Sequence, residues 1–175
     1  MITSLRGIIL QKRPPLLWLE VQGVGYELEM PLSSFYQMAN AGETVLIHTH
    51  LTIREDAHLL YGFMTEAERD AFRLLIRVNG LGGKVALACL SGLPAEKLGQ
   101  AVAEGNIAKL TAIPGIGPKT AERLVVELRD KMGGSSVLPM GKAVPGDPRQ
   151  EAVAALLTLG YKPAQASQAI AGLAE

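Results

Sequence analysis

The feature that most constrains this chain is a glycine loop that occurs twice. Residues 113–124 read Ile-Pro-Gly-Ile-Gly-Pro-Lys-Thr-Ala-Glu-Arg-Leu. Gly115 and Gly117 admit backbone angles closed to other residues. Pro118 suits the first turn of a helix, where its missing N–H leaves nothing unpaired. Such a loop presents free amides at a helix N-terminus beside Lys119, which makes an anion site built mainly from backbone. Thirty-five residues upstream, Gly80-Leu81-Gly82-Gly83-Lys84-Val85-Ala86 aligns with Gly115-Ile116-Gly117-Pro118-Lys119-Thr120-Ala121, matching at both glycines, the lysine and the alanine. One copy would read as a helix end and a turn. Two copies, each opening an amphipathic helix, point to a ligand with regularly spaced phosphates, and so to nucleic acid.

Net charge does not advertise such a ligand. The 175 residues carry 17 basic and 17 acidic side chains. A DNA-binding field must then come from regional arrangement or from the geometry of an oligomer. Between Thr65 and Met132 ten Lys or Arg face eight Asp or Glu, too small a surplus to decide anything. The single cysteine, Cys89, lies in an apolar run; it reads as a small buried hydrophobe and rules out an internal disulfide or a cysteine-cluster metal site. No leader and no segment long enough to span a bilayer is read from the sequence, so a soluble cytoplasmic protein is expected.

The period of the apolar residues divides the chain into a multidomain α+β protein. Residues 1–63 alternate with period two, in runs containing Leu17, Leu19 and Val21, then Tyr26, Leu28 and Met30, then Val45 to Ile53, then Leu59, Tyr61 and Phe63. With Ile2 to Leu10 these make five strands, interrupted by a short irregular segment around Ser33 to Met38. Five short strands suit a small closed barrel of oligonucleotide-binding (OB) type. At Thr65 the period becomes helical, with Thr65-Glu66-Ala67-Glu68 as a near capping box. Residues 64–132 are expected to be all-α, with helices to about Val78, from Gly83 to Leu90, from Pro94 to about Glu104, from Ile107 to Thr111 and from Lys119 to Met132. This tandem helix-hairpin-helix domain contains both glycine loops. Residues 133–148, rich in Gly, Ser and Pro, read as a flexible linker. Residues 149–175 form two short amphipathic helices, too few to fold alone, which are expected to dock on a partner.

Three other chemistries fit less well. A phosphate-binding NTPase loop needs glycine directly before its lysine, and here Pro118 precedes Lys119. A helix-hairpin-helix glycosylase or AP lyase would use Lys119 as a Schiff-base nucleophile. It would also need an activating carboxylate about eighteen residues on, where Val137 stands. His48, His50 and His58 lack the carboxylate or cysteine spacing of a metal site. No catalytic residue, cofactor or metal is therefore assigned. A general duplex-binding module stays open as a third reading.

Other segments carry a more specific signal in their order and spacing. These are Leu5-Arg6-Gly7-Ile8-Ile9, Gly23-Val24-Gly25-Tyr26-Glu27, Arg54-Glu55-Asp56-Ala57, Leu60-Tyr61-Gly62-Phe63, Asn79-Gly80-Leu81-Gly82, the loop from Pro114 to Leu124, and Ala152-Val153-Ala154-Ala155-Leu156 with Gly160-Tyr161-Lys162-Pro163. In this order the chain resembles, over nearly its whole length, the RuvA family of bacterial Holliday junction branch-migration proteins. The resemblance implies a non-catalytic subunit that holds four-way DNA junctions open and planar as a homotetramer, or an octamer on DNA. It implies service in recombination, DNA-damage repair and the SOS response, with the hexameric RuvB AAA+ motor supplying ATP-driven migration and the RuvC resolvase as a further partner.

By the same resemblance, Asn79, Gly80, Gly82 and Lys84, with Gly115, Gly117, Lys119, Thr120 and Arg123, would hold phosphates on the minor-groove side. Glu55 and Asp56 would form an acidic pin at the centre of the tetramer. Leu156, Leu157, Tyr161, Ile170 and Leu173 would face the motor in a small UBA-like domain. That domain normally has three helices; two are read before Glu175, so it is expected to be truncated. Pro118 stands where relatives commonly carry a second basic residue, which should lower the salt dependence of binding relative to a Pro118→Lys variant.

Overall fold

A computed structural model describes residues 1–132, 152–153, 155–157, 161 and 163–171. Strands β1 (Ser4–Arg13), β2 (Leu16–Val21), β3 (Val24–Glu29), β4 (Thr44–Ile53) and β5 (His58–Phe63) close into a barrel in the order β1-β2-β3-β5-β4. All pairings are antiparallel except β3 with β5. Alternation sends Leu5, Ile9, Leu17, Leu19, Leu28 and Ile47 inward, where they form one buried cluster. Closure leaves no sheet edge exposed. The β2–β3 turn uses Gln22 and Gly23, both at positive φ (50° and 84°), the conformation that two-residue hairpins require.

Two expectations about the barrel need correction. The first strand runs on past Leu10 to Arg13, because its register with β2 shifts between Ile9 and Gln11. That bulge resets the alternation that marks a strand in sequence. The segment expected to be irregular is a helix, α1 (Leu32–Gln37). At six residues it is too short to display a helical period. Its Phe35 and the following Met38 are buried in the barrel cluster. Its polar side ties the barrel to the helices: the Ser33 hydroxyl donates to the Leu90 carbonyl (2.8 Å), the Ser34 hydroxyl donates to Glu68 (2.6 Å), and the Leu32 amide donates to Ser91 Oγ (2.9 Å).

Five helices follow: α2 (Glu66–Leu75), α3 (Gly83–Gly92), α4 (Ala95–Ala103), α5 (Ile107–Thr111) and α6 (Pro118–Met132). Thr65 caps α2 with a full capping box, its side chain accepting from the Glu68 amide while the Glu68 carboxylate accepts from the Thr65 amide. Helix α2 ends at Leu75, short of the expected Val78, and residues 76–78 turn into the first glycine loop. Cys89 is buried in the helical core, and burial pushes its thiol up to about 12.

The barrel and these helices share a core. Tyr61 and Phe63 of β5 belong to the same buried cluster as α2, α3, α4 and α6. At its centre Phe72 is fully buried, with ring centroids 4.7 Å from Tyr61, 5.0 Å from Phe63 and 5.6 Å from His50.

His50 also lies beside Arg73, whose Nε points at its Nδ1 across 3.5 Å. Burial first, then the Arg73 and Arg69 cations, lower the His50 pKa from its ordinary 6.5. Below pH 6.5 the unfolded chain takes up a proton that the folded chain refuses. Stability should therefore fall as pH drops through 6.5, levelling off below the folded-state pKa. Urea midpoints measured between pH 7.5 and 5 should show this loss, and His50→Gln should shrink it.

The chain divides into two compact units, Met1–Val137 and Leu138–Glu175. The expected linker, 133–148, lies outside the described residues. In the second unit residues 152, 153 and 155–157 are helical, and α7 spans Pro163–Ala171. The Tyr161 amide donates to the Leu156 carbonyl (3.1 Å). Among the described residues no helix is long and apolar enough to cross a membrane.

Candidate nucleic-acid interface

The two glycine loops are built alike down to their hydrogen bonds. In the first, the Leu81 amide donates to Val78 O (3.1 Å) and the Ala86 amide to Gly82 O (3.0 Å). In the second, the Ile116 amide donates to Ile113 O (3.1 Å) and the Ala121 amide to Gly117 O (2.9 Å). The single aliphatic residue between each glycine pair, Leu81 or Ile116, is buried in the helical core and pins its loop. Around that anchor Asn79, Gly80, Gly82, Lys84, Gly115, Gly117 and Lys119 are exposed, and Thr120 is half-buried. The amides of Gly80, Gly82, Gly115 and Gly117 donate to no acceptor among the described residues. Each loop thus presents unpaired N–H groups, a helix N-terminus and a lysine to solvent.

The glycines divide the work differently from expectation. Gly80 (φ +83°) and Gly115 (φ +87°) occupy the left-handed region and make the turn. Gly117 and Gly82 do not; Gly82 has φ −82°. A Cβ on either would meet nothing within 4 Å. The fold itself does not require glycine at these two exposed places. What glycine provides there is an uncovered backbone that another molecule can approach closely.

Two further contacts join the loops, and neither is visible in the sequence. Arg123 of α6 donates from Nη1 to the Asn79 carbonyl of the first loop (2.8 Å), across 44 residues. Gly115 of the second loop lies against Val85 of α3, whose methyl carbons would be 3.6 and 3.7 Å from a Cβ. Gly83, the first residue of α3, sits on the barrel: a Cβ there would land on the Tyr61 hydroxyl. Lone glycines and arginines carry no signal for contacts so distant along the chain.

Glu55 and Asp56 occupy the exposed tip between β4 and β5, closed by the Arg54 amide donating to Ala57 O (2.8 Å). Neither carboxylate has an ion-pair partner among the described residues. The three histidines are not gathered with carboxylates or cysteine into a metal-holding group among those residues. In the second unit Leu156, Leu157 and Ile170 are half-buried and Tyr161 is 54% exposed. Leu173 lies outside the described residues.

Comparison with known proteins follows the same divisions. Family models match at residues 1–62 (RuvA N terminal domain), 72–130 (SAM-like helix-hairpin-helix tandem) and 147–175 (RuvA, C-terminal domain). A protein of Acidithiobacillus ferrooxidans named Holliday junction branch migration complex subunit RuvA is 82% identical over 175 residues, covering all of this chain and 91% of that protein. The chain belongs to the RuvA family. RuvA proteins of the same name from Thioalkalivibrio sulfidiphilus (51% identical, 99% of this chain and 90% of theirs) and Nitrosococcus oceani (52%, 97% and 89%) extend the match to more distant relatives. With RuvA models at both ends of the chain, the paired hairpins belong to a RuvA architecture and the glycosylase reading is not favoured.

Proposed function

We propose that this chain binds four-way DNA junctions without regard to sequence, as the non-catalytic subunit that holds a junction open for an ATP-driven RuvB motor in recombination and repair. The observation that carries the reading is the pair of matched backbone cradles, each with an exposed glycine that the fold does not need. Gly82 and Gly117 let sugar–phosphate rails approach the amides around Gly80 and Gly115, while Lys84, Lys119 and Thr120 add charge and a hydroxyl at the helix ends. Contacts of this kind hold phosphates and read no bases, so affinity should fall steeply with salt.

A homotetramer supplies what net charge does not. Four copies give eight cradles, two for each arm of a junction. The same symmetry would gather eight carboxylates from Glu55 and Asp56 at the crossover. Each close pair of like charges there is worth roughly 1–4 kcal/mol in watery or surface dielectric. That repulsion disfavours a continuous duplex across the centre and tolerates strands diverging into separate arms. The apolar residues Leu156, Leu157, Tyr161, Ile170 and Leu173 are the proposed contact with the motor.

Competition between a four-way junction and a linear duplex at equal salt, with the mass of each complex measured, tests this reading. The native chain should prefer the junction as a tetramer or octamer. Glu55→Gln with Asp56→Asn should erode that preference several-fold, chiefly by strengthening duplex binding. A monomer that does not distinguish the two DNAs would overturn the proposal, and an unchanged preference in the double variant would remove the pin from it.

A further inference from the structure

The contact between Arg123 and the Asn79 carbonyl does more than join two loops. A trans peptide points its C=O and its N–H in opposite directions. The carbonyl of Asn79 and the amide of Gly80 belong to one peptide group. Holding that carbonyl inward on the Arg123 guanidinium (2.8 Å) turns the Gly80 amide the other way. That amide has no acceptor among the described residues, and Gly80 is exposed. The left-handed backbone of Gly80 (φ +83°) leaves the peptide without support from a side chain of its own. The nearest heavy atom to a Cβ at that glycine would be Arg123 Nη1, at 3.6 Å. The guanidinium is therefore the group that braces this peptide from the protein side.

The second loop has no such brace. Thirty-five residues separate the repeats, which puts Ala88 where Arg123 would have its counterpart. Among the described residues no side chain donates to the Pro114 carbonyl; the ring of Pro114 fixes its own φ and leaves the direction of that carbonyl to ψ. The first cradle thus has a side-chain brace on its peptide, supplied by the helix of its neighbour, that the second lacks.

We propose that Arg123 is a positioning residue. It orients the Gly80 amide toward the phosphate site and sets the spacing between the cradles, acting through the Asn79 carbonyl and not through a phosphate of its own. This rests on the junction-binding reading for its functional consequence, but the orientation of the peptide is a property of the DNA-free protein.

Two measurements on the full chain test it. In DNA-free protein labelled with nitrogen-15, Arg123→Met should shift the Gly80 amide resonance and leave Gly115 in place. In salt titrations of junction binding, Arg123→Met should weaken affinity about tenfold with an unchanged slope, whereas each phosphate contact removed would lower the slope by about 0.9. Arg123→Lys keeps the charge but loses the planar fork, and should restore less than half of the lost affinity on a logarithmic scale. An unmoved Gly80 resonance would overturn the proposal, as would a slope that falls by the value of a lost phosphate, or full rescue by lysine. Should the native chain itself fail to bind junctions, the proposed function fails, while the resonance experiment still decides the orientation.

Discussion

Aspartate in place of both Gly82 and Gly117 should abolish DNA binding and leave the fold untouched. Gly82 is the N-cap of α3, and Gly117 accepts the first helical bond of α6. Aspartate is a better N-cap than glycine, so each change should alter stability by a few tenths of a kcal/mol at most, and in the favourable direction. Neither backbone is in the left-handed region and neither Cβ would meet a neighbour within 4 Å. On the outer side the same two carboxylates would stand where phosphates are proposed to lie. A like-charge pair about 5 Å apart at surface dielectric repels by about 3 kcal/mol, and two such pairs in every protomer should lower junction affinity by about a thousandfold or more. Thermal unfolding and gel-shift titration of the same preparation give the two readouts. A variant that unfolds early, or one that binds normally, would each contradict the assignment of these glycines to an outside partner.

Phe72→Ala should do the opposite and strike the fold first. The side chain is fully buried, with Tyr61, Phe63 and His50 packed around its ring. Emptying a buried phenylalanine site costs about 3–5 kcal/mol. In a domain whose whole stability is about 5–15 kcal/mol that is a large share, and the melting temperature should fall by about 10 °C. Phe72→Leu refills much of the volume and should recover more than half of the loss. DNA binding should weaken along with stability in this series, because the ring joins the barrel to the helices that carry both cradles. A loss below about 1 kcal/mol would mean that the site collapses easily and that the shared core is looser than its packing suggests.

These two experiments bear on what could be read from the residues alone. The barrel strands were legible because Leu17 and Leu19, or Leu28 and Met30, alternate against a single buried face. Helix α1 was not, since six residues after Pro31 give no period to detect. The cradles were legible through repetition: a second Gly-x-Gly followed by lysine turns a common turn motif into a pattern. What each glycine does was not legible. A glycine at positive φ (Gly80, Gly115), one with open space around it (Gly82) and one pressed against Tyr61 (Gly83) are the same letter. The same limit hid the role of Arg123, whose partner is a backbone carbonyl 44 residues away and so leaves no complementary side chain to notice. The pin role of Glu55 and Asp56 rests on the family resemblance alone, because that proposed work requires other copies of the chain.

The aromatic end of β5 has a mechanical consequence. The strand starts two residues after Asp56 and ends at Phe63, inside the cluster that anchors the hairpin helices. Six extended residues span roughly 20 Å, and they are hydrogen-bonded along their length to β4. A force on the glycine loops would therefore reach the acidic tip through a stiff two-stranded element. On the proposed function, a motor drawing DNA arms through the cradles would load the proposed pin as well.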